Sequence, residues 1–156
     1  ETGADAVKLE GAKLSQIRAL VSSGIPVMGH VGFTPQSVNT LAGYKVQGRT
    51  EQDAARILQE CKDIEAAGAF AVVLEMIPAE LAQEISQKLA IPTIGIGAGA
   101  DCDGQILVWQ DFAGLGTRSP KFAKQYLNLR QDLSAAATAF RNEVVAGEFP
   151  APEQQF

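Results

Sequence analysis

The amino-acid sequence predicts an α/β fold built on a parallel sheet. Three observations carry that expectation. Short apolar runs alternate with helical patterns of about 11 to 18 residues, the mark of successive βαβ units. The clearest run, Ala71-Val72-Val73-Leu74, is continuous and not alternating, as in a strand buried on both faces. The runs also end alike: three on an ionisable residue (Glu10, His30, Glu75) and a fourth on glycines.

In order along the chain, Ala4 to Gly11 reads as a strand with Lys8 and Glu10 on one face and Val7 and Leu9 on the other. Lys13 to Ser23 carries Leu14, Ile17, Leu20 and Val21 at helical spacing, and Gly24 is placed to close that helix. Ile25 to Gly32 is the second strand, with Met28 and His30 on one face. The polar, glycine-rich segment Phe33 to Thr50 is long for a loop, a length usually kept for function. Thr50 is an N-cap candidate, with Asp53 three residues on where a glutamate is usual, and the helix should run to about Ala67 and stop at Gly68. The third strand, Phe70 to Glu75, follows. Pro78 suits the first turn of a helix over Ala79 to Leu89. Ile91 to Gly99 is the fourth strand. Asp101 to Ser119 reads as irregular, and Phe122 to Leu127 fits a short helix or a last strand equally well. Leu129, Leu133, Ala137, Phe140 and Val144 mark a C-terminal helix over about 128–147, ended by Gly147, with an irregular tail over 148–156. Residues 1–156 are read as a single domain, since 46% hydrophobic content over 156 residues supplies a sizeable core.

Net charge is −5 with no basic cluster, which argues against nucleic acid as a partner. No apolar run approaches the ~20 residues that span a bilayer, so no membrane is expected. Cys61 and Cys102 are too few and too widely spaced for a disulfide framework, and fit a reducing compartment. His30 is the single histidine.

In a parallel barrel, catalytic groups sit at the C-terminal ends of strands. Glu75 ends its strand on the face of Val73, so it is the candidate catalytic residue, with Glu10 and His30 at equivalent ends. A closed eight-stranded barrel takes ~250 residues, and only four clear strands and one doubtful strand can be counted; about three upstream βα units are therefore expected elsewhere, in cis or on another chain.

The segments Val7-Lys8-Leu9-Glu10-Gly11 and Pro26 to Ser37, with Gly43-Tyr44-Lys45-Val46-Gln47-Gly48-Arg49, Val73-Leu74-Glu75, Ile94 to Gly99 and Asp103-Gly104-Gln105, closely resemble the ketopantoate hydroxymethyltransferase family. The resemblance runs through nearly the whole chain in order. It implies a (β/α)8 TIM barrel, of which this chain holds roughly the C-terminal five βα units. It implies transfer of a hydroxymethyl group from 5,10-methylenetetrahydrofolate to 3-methyl-2-oxobutanoate in pantothenate biosynthesis, with Mg²⁺ as cofactor. It assigns Glu10 to the metal, Lys8 to the oxoacid and Glu75 as proton acceptor; two further metal-site aspartates belong to the family's earlier strands. It also implies a cytoplasmic homo-oligomer, often a decamer. Ala12, Met76 and Gln110 depart from the family's usual residues without touching those roles.

The chemistry suits these residue types. A 2-oxoacid chelates Mg²⁺ through its carboxylate and keto oxygen, and the metal stabilises the enolate formed at C3. Lys8 offsets the substrate's negative charge. A base on a different strand, Glu75, takes the C3 proton. His30 is placed to hydrogen-bond substrate or, equally, to sit behind the ligands. Gly95, Gly97 and Gly99 are read as positions of close backbone approach and not as a phosphate cradle. Two other readings stand beside this one: another Mg²⁺-dependent, enolate-forming C–C lyase or transferase, and a non-catalytic half-barrel serving as a structural partner.

Overall fold

The computed structural model describes residues 3–37, 43 and 45–156. Tyr44 and part of the segment Phe33 to Thr50 fall outside the described residues. The chain forms two compact units, Glu1–Ile106 and Leu107–Phe156.

The first unit alternates strand and helix: β1 (Val7–Glu10), α1 (Leu14–Ser22), β2 (Val27–Gly32), α2 (Glu51–Ala66), β3 (Ala71–Glu75), α3 (Ala79–Lys88), β4 (Thr93–Ile96) and β5 (Gly104–Gln105). All neighbouring strands pair in parallel, in the order β1-β2-β3-β4-β5. Strictly sequential order is the order of a barrel wall; a doubly wound sheet reverses at a switch point. The register puts Lys8 beside Met28, Glu10 beside His30, His30 beside Val73, and Glu75 beside Gly32 and Ile96, so these residues share one face.

The other face carries the core. Val27, Val31, Val72 and Leu74 pack with Ile17 of α1, with Ile57, Cys61 and Ile64 of α2, and with Leu81, Ala82 and Ile85 of α3 in one buried cluster. Ile57, Cys61 and Ile64 recur at helical spacing, which explains why α2 turns that stripe to the sheet. With all three helices on one face, the sheet is an arc of a (β/α)8 barrel. The arc is not closed. On its opposite face Val73 is buried, whereas Met28 and Ile94 are only half-buried.

The helix ends follow from short-range chemistry. After α1, Gly24 takes φ +79, its N–H donates to Val21 O, and the Ile25 N–H donates to Leu20 O, a Schellman arrangement that only a residue tolerant of positive φ completes cheaply. Thr50 caps α2, its Oγ1 accepting the Asp53 N–H at 3.2 Å. Asp53 does not close a capping box on Thr50; its carboxylate instead accepts the Gly48 N–H and pairs with Arg56. Pro78 stands at the N-cap of α3, one place before the first turn expected for it.

Two expectations are corrected. The fifth strand is Gly104–Gln105, inside the stretch expected to be irregular, and Phe122 to Leu127 is neither helix nor strand. A two-residue strand begun by glycine has no periodicity to read; it exists because Ile94 and Gly95 of β4 offer it a ladder. In the second unit, α4 (Trp109–Phe112) is one turn, and α5 (Leu129–Ala146) ends at Gly147 with φ +70, as expected. None of the α5 residues is buried, although Phe140 stacks edge-on against Phe149 in the tail, with centroids 5.2 Å apart. A 3-10 turn at Pro152–Gln154 interrupts that tail.

Candidate active site

Three neighbouring strand ends bring Lys8, Glu10, His30 and Glu75 together. On β1, residues two apart share a face, so Lys8 and Glu10 point the same way; Lys8 Nζ lies 3.5 Å from Glu10 Oε1. His30, one strand over and level with Glu10, places Nδ1 3.0 Å from Lys8 Nζ and 3.8 Å from Glu10 Oε1. Its Nε2 lies 3.0 Å from Glu75 Oε2 on β3. That geometry is not a hydrogen bond, and among the described residues Nε2 has no hydrogen-bond partner although it is buried. All four candidate residues therefore form one chain of contacts.

Their exposures differ in a useful way. The side chains of His30, Glu10 and Glu75 are 4%, 8% and 13% exposed, while that of Lys8 is 44% exposed. The ammonium stands at the rim, where a charged ligand would arrive, and the carboxylates and imidazole lie below it.

Backbone contacts fix the Glu10 carboxylate and the Glu75 main chain. Glu10 Oε2 accepts the Gln36 N–H at 2.9 Å, from the 3-10 turn Pro35–Ser37 that follows β2. The Glu75 carbonyl accepts the Phe33 N–H at 2.8 Å. Gly32 makes that close approach possible: at φ +88, a Cβ there would lie 2.2 Å from Glu75 O. Met76 is the one non-glycine residue at positive φ (49°) among the described residues. It is held there by its N–H on Ile96 O and by the Gln47 N–H on its own carbonyl, each at 2.9 Å. A non-glycine residue in this region costs about 1–3 kcal/mol and is typically found at functional sites. Gln36, Gly32 and Met76 were not among the residues singled out for chemistry. Only Gly32, the glycine that ends β2 two residues past His30, carries a sequence signal, since a residue's backbone angles are not otherwise written in its identity.

The glycines after β4 act as expected. Gly97 and Gly99 take positive φ, and a Cβ on Gly99 would meet the Ala79 Cβ at 2.5 Å, so the loop lies directly on the start of α3. Thr93 anchors the following turn: its N–H and Oγ1 donate to Asp103 Oδ2 at 2.8 and 2.9 Å, and these bonds hold the Asp103 carboxyl below its ordinary range. Burial pushes the Cys61 thiol up to about 12, which leaves it inert in the core. An open pocket of about 300 Å³ between the starts of α2 and α3 is lined by Arg49, Thr50, Pro78 and Glu84 among others, and by none of the four strand-end residues.

As a metal site the constellation is partial. Glu10 offers the hard oxygen donor that Mg²⁺ prefers. Among the described residues no three His, Cys, Asp or Glu side chains are grouped to hold a metal ion. The residues present therefore fit one ligand of a magnesium site and not a complete one.

The sequence matches the family model described as ketopantoate hydroxymethyltransferase over residues 1–152. Among curated relatives, the 3-methyl-2-oxobutanoate hydroxymethyltransferases of Thermobifida fusca, Streptomyces coelicolor and Paracoccus denitrificans are 57%, 58% and 56% identical, over 100%, 98% and 100% of this chain. The chain spans about half the length of these relatives, 56%, 53% and 58% of each. Identity at this level over essentially the whole chain, together with the family match over residues 1–152, shows the lineage: the chain belongs to the ketopantoate hydroxymethyltransferase family.

Proposed function

We propose that this chain carries half of the active site of a hydroxymethyltransferase that converts 3-methyl-2-oxobutanoate and 5,10-methylenetetrahydrofolate into 2-dehydropantoate, on the route to pantothenate and coenzyme A. The observation that supports this reading is the convergence of Lys8, Glu10 and Glu75 on one face of three adjacent parallel strands.

The C3 hydrogen of a 2-oxoacid is acidic because the electron pair left behind spreads onto the keto oxygen. Glu75 takes that proton, and the C3–H electrons enter the enolate. Water breaks the two carbon–nitrogen bonds of the folate's methylene group, leaving both nitrogens protonated as tetrahydrofolate and the carbon at the oxidation level of formaldehyde. C3 then bonds to that carbon, and its oxygen takes up the proton held by Glu75 to become the hydroxyl. Lys8, exposed at the rim, binds the substrate carboxylate. Glu10, fixed by the Gln36 N–H, supplies one ligand to magnesium. Magnesium, when bound, contributes Lewis-acid stabilisation of the enolate oxygen. The half-buried apolar side chains of Met28 and Ile94, on the same face, exclude water from beneath the oxoacid's branched end.

The missing ligands and strands come from a further segment, in cis or in trans, in what we take to be a cytoplasmic homo-oligomer. No helix among the described residues is long and apolar enough to cross a membrane. The incomplete carboxylate set also favours a second reading, a non-catalytic half-barrel. Supplying carbon-labelled methylenetetrahydrofolate and 3-methyl-2-oxobutanoate to the assembled protein separates them. The expected product carries the label on the new hydroxymethyl carbon. No labelled product from a folded, metal-loaded assembly would rule out the transferase reading.

A further inference from the structure

We infer that His30 is a positioning residue, locked in one tautomer between Lys8 and Glu75, and that neither of its ring nitrogens meets substrate. The inference deepens the function proposed above, and it relies on that reading only for the role of Glu75 as base.

The donor and acceptor inventory settles the first half. A lysine ammonium has three donors and no acceptor. Its Nζ lies 3.0 Å from His30 Nδ1, so Nδ1 must offer its lone pair. The ring proton is then on Nε2. That nitrogen is buried, points toward β3, and has Glu75 Oε2 3.0 Å away without forming an aligned hydrogen bond. A buried N–H left without a partner costs about 1–3 kcal/mol. A small rotation of the Glu75 carboxylate completes the bond and removes that cost. His30 thus gives Glu75 a rest on which its carboxylate is held at a defined place relative to Lys8. With Nδ1 occupied and Nε2 enclosed, the ring has no free edge for the oxoacid. The strand register makes this possible: His30 is level with Glu10 on one side and two residues short of the Gly32–Glu75 pair on the other, so the imidazole crosses diagonally between them.

The test has two parts. The first is nitrogen NMR on protein labelled at histidine, with the His30 signals assigned by their loss in His30→Asn. The expected result is a pyridine-type Nδ1 and a pyrrole-type Nε2; a protonated Nδ1 overturns the inference, whatever the reaction proves to be. The second compares two amides by exchange of the C3 hydrogen of 3-methyl-2-oxobutanoate, which needs no folate. The glutamine amide in His30→Gln reaches about as far as Nε2 and still donates to Glu75. The asparagine amide ends level with Nδ1 and keeps only the Lys8 contact. Misplacing a reacting group by about 1 Å costs ~10² in rate. Exchange should therefore fall ~10²-fold in His30→Asn and less than about tenfold in His30→Gln, with KM for the oxoacid near wild type in both. A raised KM with exchange kcat intact would place the ring on substrate, and equal losses in the two variants would show that the Nε2 donor is immaterial; either result overturns the inference. Wild-type protein that shows the stated tautomer but no C3 exchange would instead refute the proposed reaction and leave the tautomer standing.

Discussion

At the scale of single residues, Glu75 is the group whose chemistry and surroundings can be separated most cleanly. Glu75→Gln keeps the side chain's shape and leaves Lys8 and Glu10 in place, so oxoacid binding should persist. An amide is not a base, so C3 exchange should fall ~10²–10⁴-fold, the usual worth of a general base. Deuterium wash-out from C3 measures this directly, and undiminished exchange would assign the proton to another group. Gly32 tests the scaffold behind it. Gly32→Ala meets two independent penalties: about 1–3 kcal/mol for a side chain at φ +88, and a Cβ placed 2.2 Å from the Glu75 carbonyl. The carbonyl must move and carry Glu75 with it. A loss of about 3 kcal/mol or more in urea unfolding is expected, with C3 exchange impaired in whatever fraction folds. A variant as stable as wild type would mean the strand ends are free to separate. That Glu10, His30 and Glu75 would meet was legible because each is a polar residue at or near the end of an apolar run on neighbouring parallel strands. The bridge from Lys8 to His30 was not, since cross-strand register sets that distance and sequence spacing says nothing about register.

At the scale of elements, α2 shows how far local signals reach. Thr50 and Gly68 announced both ends of the helix, and the described chain places Glu51–Ala66 between them. What Asp53 does could not be read, because its partner Gly48 lies across a turn whose shape is tertiary. Burial pushes the Asp53 carboxyl up, but the Gly48 N–H and Arg56 outweigh it, and the net result lies below the ordinary value of 3.8. A carboxylate whose folded pKa is depressed stabilises fully above its unfolded pKa, and that stabilisation fades as pH falls through the lower folded value. Asp53→Asn should therefore cost about 1 kcal/mol at pH 6–8, allowing for screening at this partly exposed site. The gap between variant and wild type should narrow once pH drops below about 4. Paired urea titrations at pH 7 and pH 3 check it; a gap that widens in acid would reverse the assignment of sign. The short strand β5 marks the opposite limit. Two residues beginning with glycine hold no pattern, and only the edge of β4 makes them a strand.

At the scale of the whole molecule, alternating helices and strands implied a parallel sheet and the family resemblance implied a barrel wall; the strand order is sequential, with α1, α2 and α3 on one face. The sequence also implied too few strands, and the open sheet agrees. Among the described residues β1 pairs only with β2, so one side of Val7–Glu10 presents unpaired backbone donors and acceptors. Such an edge is a template for pairing with other chains. Met28 and Ile94 are half-buried on the concave face, and Leu133, Phe140 and Val144 are exposed on α5 in the second unit. Large exposed apolar surface mixed with an open edge favours association over solubility. Chemistry points the same way: on the proposed reading Glu10 would be the single carboxylate offered to magnesium among the described residues, too few for a tight site with an ion that sheds water reluctantly. Residues 1–156 expressed alone should therefore self-associate and form no 2-dehydropantoate. Adding a segment that supplies the remaining strands, fused or as a separate chain, should restore both a defined sedimentation coefficient and turnover. Restored solubility without turnover, when the added strands carry their own carboxylates, would favour the half-barrel as a structural partner. A monodisperse and active 156-residue product would show that the sheet closes with a second copy of itself and that Glu10 finds its fellow ligands there.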